Sequence, residues 1–200
     1  MSDQQPATRS AGAGPARLLV AALAMSAGAL ATWIASEGDS PVVVVAGEER
    51  LAPHIPTQGD VPTIGHGSTR YENGRPVRLG DAPITRARAV ELARNLHSEE
   101  ELRFQASLPG ARLTQGEYDL YIDFVGQYGI GNWRASSMRR HILAGEYRAA
   151  CDALLRYRYA AGYDCSTRVN GQPNKRCWGV WERQQRRHAA CLAEQGSASP

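Results

Sequence analysis

Residues 59–74 read GDVPTIGHGSTRYENG, and the reading of this stretch decides the fold. Residues 61–64 combine β-branched residues with a proline at their start and predict a short strand. Asn73-Gly74, set between Arg70-Tyr71 and Pro76-Val77, is the dipeptide of a type I′ hairpin turn. A small antiparallel sheet is therefore expected between about residues 60 and 80. Upstream, residues 38–59 read as irregular, with a possible strand at residues 42–45 and a charged Glu48-Glu49-Arg50 cluster after it. Downstream the period changes. Thr85 can cap a helix that carries Ala89, Val90, Leu92 and Ala93 at core spacing, extended or restarted over residues 98–104 and broken by Pro109-Gly110. Thr114-Gln115-Gly116-Glu117 is a capping box opening a helix with Tyr118, Tyr121, Phe124, Val125 and Tyr128, which Gly129-Ile130-Gly131 ends. Ser136 or Ser137 starts the next helix and Gly145 stops it; residues 147–157 and 178–192 read as two more, separated by a loop at residues 161–175. The expected architecture is α+β: a small β-hairpin lobe followed by a larger helical lobe.

The chain has 200 residues, 42% hydrophobic and 22% charged, enough for one packed domain with an extension. Its formal net charge is only +3, but arginines and Lys175 crowd residues 134–187. Such a face suits an anionic polymer or lipid surface, or is merely solvated. Four cysteines, Cys151, Cys165, Cys177 and Cys191, fall in the last third, without a CxxC pair. Beside a membrane-targeting segment they favour disulfides over metal ligation. The simplest connectivity is nested, Cys165 with Cys177 inside Cys151 with Cys191, with other pairings open.

Residues 18–36, LLVAALAMSAGALATWIAS, carry no charge. At about 19 residues, the run is long enough to cross a bilayer core as one apolar helix. Arg9 and Arg17 before it, with Glu37 and Asp39 after it, orient the N-terminus inside. Alanine, glycine, serine and threonine outnumber the larger apolar residues, so insertion is weak. A cleaved signal (Ala29-Leu30-Ala31 is a small-residue site), a permanent anchor and a signal-arrest-release segment all fit; the small residues favour the last. The expected organisation is a membrane segment at residues 1–36, one folded domain at 37–195 and a loose tail at 196–200.

Three elements now combine: Glu37-Gly38 ending an apolar helix, the Thr63-Ile64-Gly65-His66-Gly67 motif after Asp60, and Tyr128-Gly129-Ile130-Gly131-Asn132-Trp133 in the helical lobe. Together they resemble the phage-type lysozymes, glycoside hydrolase family 24, in their membrane-exported, signal-arrest-release endolysin branch. The resemblance covers residues 37–191. It implies a lysozyme-like fold and hydrolysis, with inversion, of the β-1,4 bond between N-acetylmuramic acid and N-acetylglucosamine. It implies peptidoglycan as partner, residence in the inner membrane and then the periplasm of a Gram-negative host, and host lysis. A monomer is expected, with no cofactor, no metal and no nucleic acid.

Glycoside cleavage independently asks for two groups: a carboxylic acid to protonate the leaving oxygen, and a base to activate water. By resemblance Glu37 is the acid, Asp60 the base and Thr63 the residue that positions the water. The family's usual acid-to-threonine spacing falls on Glu48 instead, so Glu48 is the alternative acid; it lacks the preceding helix and the following glycine. The usual position of the acidic base holds Thr57, and Asp60 lies closer to Thr63. Gln127, His66 and Asn132 are candidate substrate contacts. His66 reads as a cleft-wall residue, His54 as exposed, and Trp133, Tyr128 and Tyr121 as core. The rivals are a lytic transglycosylase, which needs no base, a non-catalytic membrane-tethered peptidoglycan-binding protein, and a basic DNA-binding protein, which the export segment argues against.

Overall fold

The computed structural model describes residues 15–196, apart from the side chains of Ser36 and Glu37. Two lobes are joined along one long helix, α2 (Arg86–Ala106), capped as expected by Thr85, whose hydroxyl accepts from the Arg88 N–H. Near its start α2 packs Leu92 on Ile64 and Val77 to make the core of the small lobe. At its far end Phe104 enters the larger core with Tyr118, Tyr121, Phe124 and Trp133. One helix thus serves both cores.

The small lobe holds less regular sheet than the sequence predicts. Strands β2 (Val42–Val45) and β3 (Glu48–Leu51) form an antiparallel hairpin, so the charged cluster is itself a strand. The primed turn sits here, with both Ala46 and Gly47 at positive φ. At Asn73-Gly74 only the glycine has positive φ; the Tyr71 N–H reaches the Arg75 carbonyl, and the Asn73 side chain accepts from the Arg75 N–H. That is a three-residue hairpin closed by a glycine bulge rather than the expected type I′ turn. The remaining pairing is by single bridges, Leu51 with Ile84, His54 with Thr63, Ile64 with Ser68 and Arg70 with Pro76. Gly65 and Gly67, both at positive φ, turn the chain back and stop the strand at Ile64. Gly65 also lies against α2: a Cβ there would stand 2.8 Å from that of Ala89, so no other residue fits.

The helical lobe follows its sequence signals closely. Helix α3 (Gln115–Ala135) opens on a complete capping box between Thr114 and Glu117 and is kinked where Gly129 leaves helical φ/ψ. Ser136 caps α4 (Ser137–Leu143), and α5 (Tyr147–Ala153) continues as a 3-10 turn over Leu154–Arg156. The predicted loop is two small hairpins, Tyr159–Ala160 with Tyr163–Asp164 and Arg168–Val169 with Gln172–Pro173. The last helix, α6, is Trp178–Gly196. Trp133 is fully buried, its indole N–H on the Ser107 hydroxyl at 2.8 Å.

The apolar stretch at residues 18–36 is not one helix. Strand β1 (Leu18–Leu19) pairs antiparallel with β4 (Arg112–Leu113); a 3-10 turn follows at Val20–Ala22, and α1 (Ala27–Glu37) begins after the Ser26 cap. Val20 and Leu23 are buried in the core of the helical lobe. Among the described residues no helix is long and apolar enough to cross a membrane. The reason is tertiary. A break in a helix frees backbone groups that must find partners. Here Gln105 donates to the Leu23 carbonyl at 2.8 Å and Gln115 to that of Ala24 at 2.9 Å. Glu101 accepts from the Met25 N–H, and Asp119 from that of Ser26 at 3.0 Å.

Both nested disulfides are present, Cys151–Cys191 joining α5 to α6 and Cys165–Cys177 closing the hairpin region. Closing 40 residues constrains the unfolded chain by about 4 kcal/mol, against about 3 kcal/mol for 12 residues. Paired serine replacement of Cys151 and Cys191 should therefore lower stability in urea more than replacement of Cys165 and Cys177.

Candidate active site

The end of α1 is delivered to the small lobe by a short, heavily restrained turn. Gly38 leaves the helix at φ +74°, a conformation that excludes most side chains. Ser40 N–H then bonds the Gly65 carbonyl at 2.9 Å. Asp39 receives Arg86 from the start of α2 on one carboxylate oxygen and His66 Nδ1 on the other, the latter at 3.1 Å. Arg86, with help from His66, holds the Asp39 carboxyl below the ordinary carboxylate range. His66 is buried and also lies 3.4 Å from the Gly38 carbonyl. It clamps the turn that follows Glu37 and does not itself line the cavity below.

Beneath that turn is a cavity of about 200 Å³ lined by Gly38, Asp39, Ser40, His54, Pro56, Thr63, Gly65 and Gly67. Thr63 and His54 face each other across the reciprocal bridge of the small lobe, N–H to carbonyl at 2.8 and 2.9 Å. Ser40 Oγ, His54 Nδ1 and Thr63 Oγ1 are all buried without a partner in the protein. Buried polar atoms are nearly always satisfied, so three of them around one cavity mark a place prepared for a ligand or water.

The other sequence candidates lie elsewhere. Asp60 is exposed on the loop between His54 and Thr63, its N–H on the Thr57 carbonyl, and does not line the cavity. Glu48 is exposed on β3 and paired with Arg50 at 3.2 Å. Gln127 is exposed on α3, its carbonyl held at 2.6 Å by Arg187, which also grips Asp123. Asn132 is exposed beyond the kink and donates to the Tyr128 carbonyl at 2.7 Å. The Glu37 side chain lies outside the described residues; its place is fixed only by the end of α1.

Sequence reading missed Ser40, Asp39 and His54. No local motif marks them, and His54 in particular is half-buried rather than exposed. Only the cross-strand register puts it opposite Thr63. It also missed Glu100, whose carboxyl is pushed above the ordinary range by burial. Glu100 lines a second depression, of about 330 Å³, with Trp33, Ser68, His97 and Arg103.

The phage lysozyme family model matches residues 48–178. Among solved structures, a mutant lysozyme of phage P22 is 24% identical, over 85% of this chain and 99% of that one, with TM-score 0.61. The endolysin of the Escherichia coli O157:H7 phage FAHEc1 is 19% identical, over 86% and 94%, with TM-score 0.63. The active form of the P1 phage endolysin is 16% identical, over 88% of each, with TM-score 0.59. These structures share the lysozyme-like fold. No curated protein matches the sequence.

The Asp39 clamp has a signed pH dependence. A carboxylate whose pKa is depressed in the fold stabilises above its unfolded pKa and loses that contribution as pH falls through the folded value. Asp39→Asn should therefore melt below wild type at pH 7. The gap should close in acid below the ordinary carboxylate range, as followed by thermal melts across pH.

Proposed function

The chain belongs to the phage lysozyme family and is a peptidoglycan-hydrolysing endolysin, a glycoside hydrolase, and within that chemistry we propose that Glu37 is the general acid of a muramidase acting on the β-1,4 bond between N-acetylmuramic acid and N-acetylglucosamine. The observation that carries the assignment is the clamped turn. Glu37 ends α1, and the next three residues are fixed by Gly65, His66 and Arg86 at the rim of the unpartnered polar cavity. A general acid works only when held within reach of the leaving oxygen, and such restraints supply that. Glu48, exposed on the hairpin beside Arg50, has no such frame and does not line the cavity. Thr63 orients the attacking water, which reaches the anomeric carbon on the face opposite the departing oxygen.

Export supplies the regulation. While residues 18–36 lie in the bilayer, Glu37 is tied to the membrane surface and the cavity rim is incomplete. Release lets the stretch break into β1, the 3-10 turn and α1. Two features support this reading: the alanine-rich composition, which makes insertion weak, and the four side chains that receive the broken backbone at residues 23–26. Arg17 adds a third. In the folded state its guanidinium lies on Glu117 at 2.8 Å and over the Tyr147 ring, whereas membrane insertion with the N-terminus inside puts it on the opposite side of the bilayer from Glu117. Differential affinity for the two states sets their balance, so modest changes in either shift it.

Two experiments test these readings. On purified Gram-negative sacculi, wild type should release reducing ends rather than 1,6-anhydro ends. Glu37→Gln should lose at least about 100-fold in rate while Glu48→Gln stays near wild type. An inactive Glu48→Gln beside an active Glu37→Gln would move the acid to the hairpin. Leucine at Ala21, Ala22, Ala24 and Ala31, all exposed in the folded protein, should hold the chain in the membrane fraction and delay lysis, with the rate of the purified enzyme on sacculi unchanged. Lysis at the wild-type time would break the link between release and activity.

A further inference from the structure

The reaction needs a base for the water, and the acidic candidate, Asp60, stands outside the cavity. Within it, His54 and Thr63 form a hydrogen-bonded antiparallel pair, so their side chains leave the same face with Cβ atoms about 5 Å apart. Ser40 reaches the same space from the turn after Glu37. Thr63 and Ser40 are hydroxyls, each able to donate and accept; His54 Nδ1 is a ring nitrogen that, in one tautomer, is an acceptor only. The three are two hydroxyls and one ring nitrogen, buried and unpartnered in residues that line one cavity. The remaining charged group lining the cavity, Asp39, is committed to Arg86 and His66.

We propose that His54 is the residue that takes the proton from the attacking water, which the Thr63 and Ser40 hydroxyls hold in place. The proposal rests on the reading of Glu37 as the acid. As the bond from the anomeric carbon to the leaving oxygen breaks, Glu37 gives its proton to that oxygen. The water oxygen forms the new bond to the anomeric carbon, and its proton passes to His54 Nδ1. One water is consumed, and solvent returns the proton from the imidazolium to the carboxylate of Glu37. The product is a free reducing end of inverted configuration.

Azide separates a base from a structural support, because it is a nucleophile that has no proton to lose. His54→Ala, His54→Gln, Asp60→Asn and Glu37→Gln are assayed on purified sacculi with and without sodium azide, after confirming folding by thermal melts. The expected result is a loss of about 100-fold or more in both His54 variants and less than about 3-fold in Asp60→Asn. Azide should restore turnover to the His54 variants with a glycosyl azide as product, and should not restore Glu37→Gln. If His54→Ala does not fold, His54→Gln, which keeps a polar side chain on the bridge, is read by the same two criteria. Wild-type turnover in a folded His54 variant overturns the proposal, as does a loss that azide fails to convert into glycosyl azide. A wild-type enzyme that releases nothing from sacculi overturns the muramidase reading itself, a result distinct from both.

Discussion

The backbone groups freed at residues 23–26 have to be satisfied, and the active fold depends on how. An uninterrupted helix would pair them internally. In the folded protein they are paired instead by Glu101 and Gln105 from α2 and by Gln115 and Asp119 from α3. Each such bond is worth about 1 kcal/mol net, and leaving one of the three partly buried contacts unmatched costs more, so the four favour the bend together. Once the chain bends there, Val20 and Leu23 enter the helical core, and Ser26 can cap α1. The direction of α1, and with it the position of Glu37, follows from that bend.

The second constraint acts at the other end of α1. Gly65 must be a glycine twice over, for its positive φ and for its contact with Ala89. Because it lies flat on α2, its carbonyl is presented to Ser40, and the next residue, His66, turns toward Asp39. Arg86, one turn before Ala89 on the same helix, completes the grip on Asp39. A single turn of α2 thus positions the bridge segment that carries Thr63 and the turn that follows Glu37. This explains how the lobes can share one helix while the end of α1 and the segment around Thr63 keep a fixed relation.

Much of this was legible. Thr85, the Thr114–Glu117 box, Ser136 and the glycine at the α3 kink are local signals with local consequences, and each did what its chemistry dictates. The nested cysteines paired in the simplest way. What escaped reading was set at a distance. The hydropathy of residues 18–36 is the same whether the stretch crosses a bilayer or is cut in three, and the residues that cut it lie some 75–95 positions away (Glu101 to Met25, Asp119 to Ser26, Gln115 to Ala24). The primed turn formed at Ala46-Gly47, where alanine gives no warning, because pairing of the flanking valines with β3 fixes the register. His54 had no motif at all; its meaning comes from the strand opposite.

On the proposed export route, the same sequence segment must satisfy two incompatible demands, and its composition suits both. A strongly apolar stretch would insert firmly, but it would present large side chains where the folded protein leaves Ala21, Ala22 and Ala24 to solvent. A polar stretch would dock well and never be exported. Small residues make each state only modestly favourable, so the balance is decided by a few specific contacts in the fold rather than by hydropathy. Those contacts include Arg17 on Glu117, itself part of the α3 capping box through the Thr114 N–H. Docking of the N-terminal stretch is thereby coupled to the start of the helix that carries Tyr118, Tyr121 and Phe124 into the core. On that proposal, a chain whose segment is still in the membrane would lack the position of Glu37 and would also leave the buried Glu117 without the Arg17 guanidinium. The inactive state so proposed would be defined by unmet partners in the helical lobe as much as by distance from the cavity.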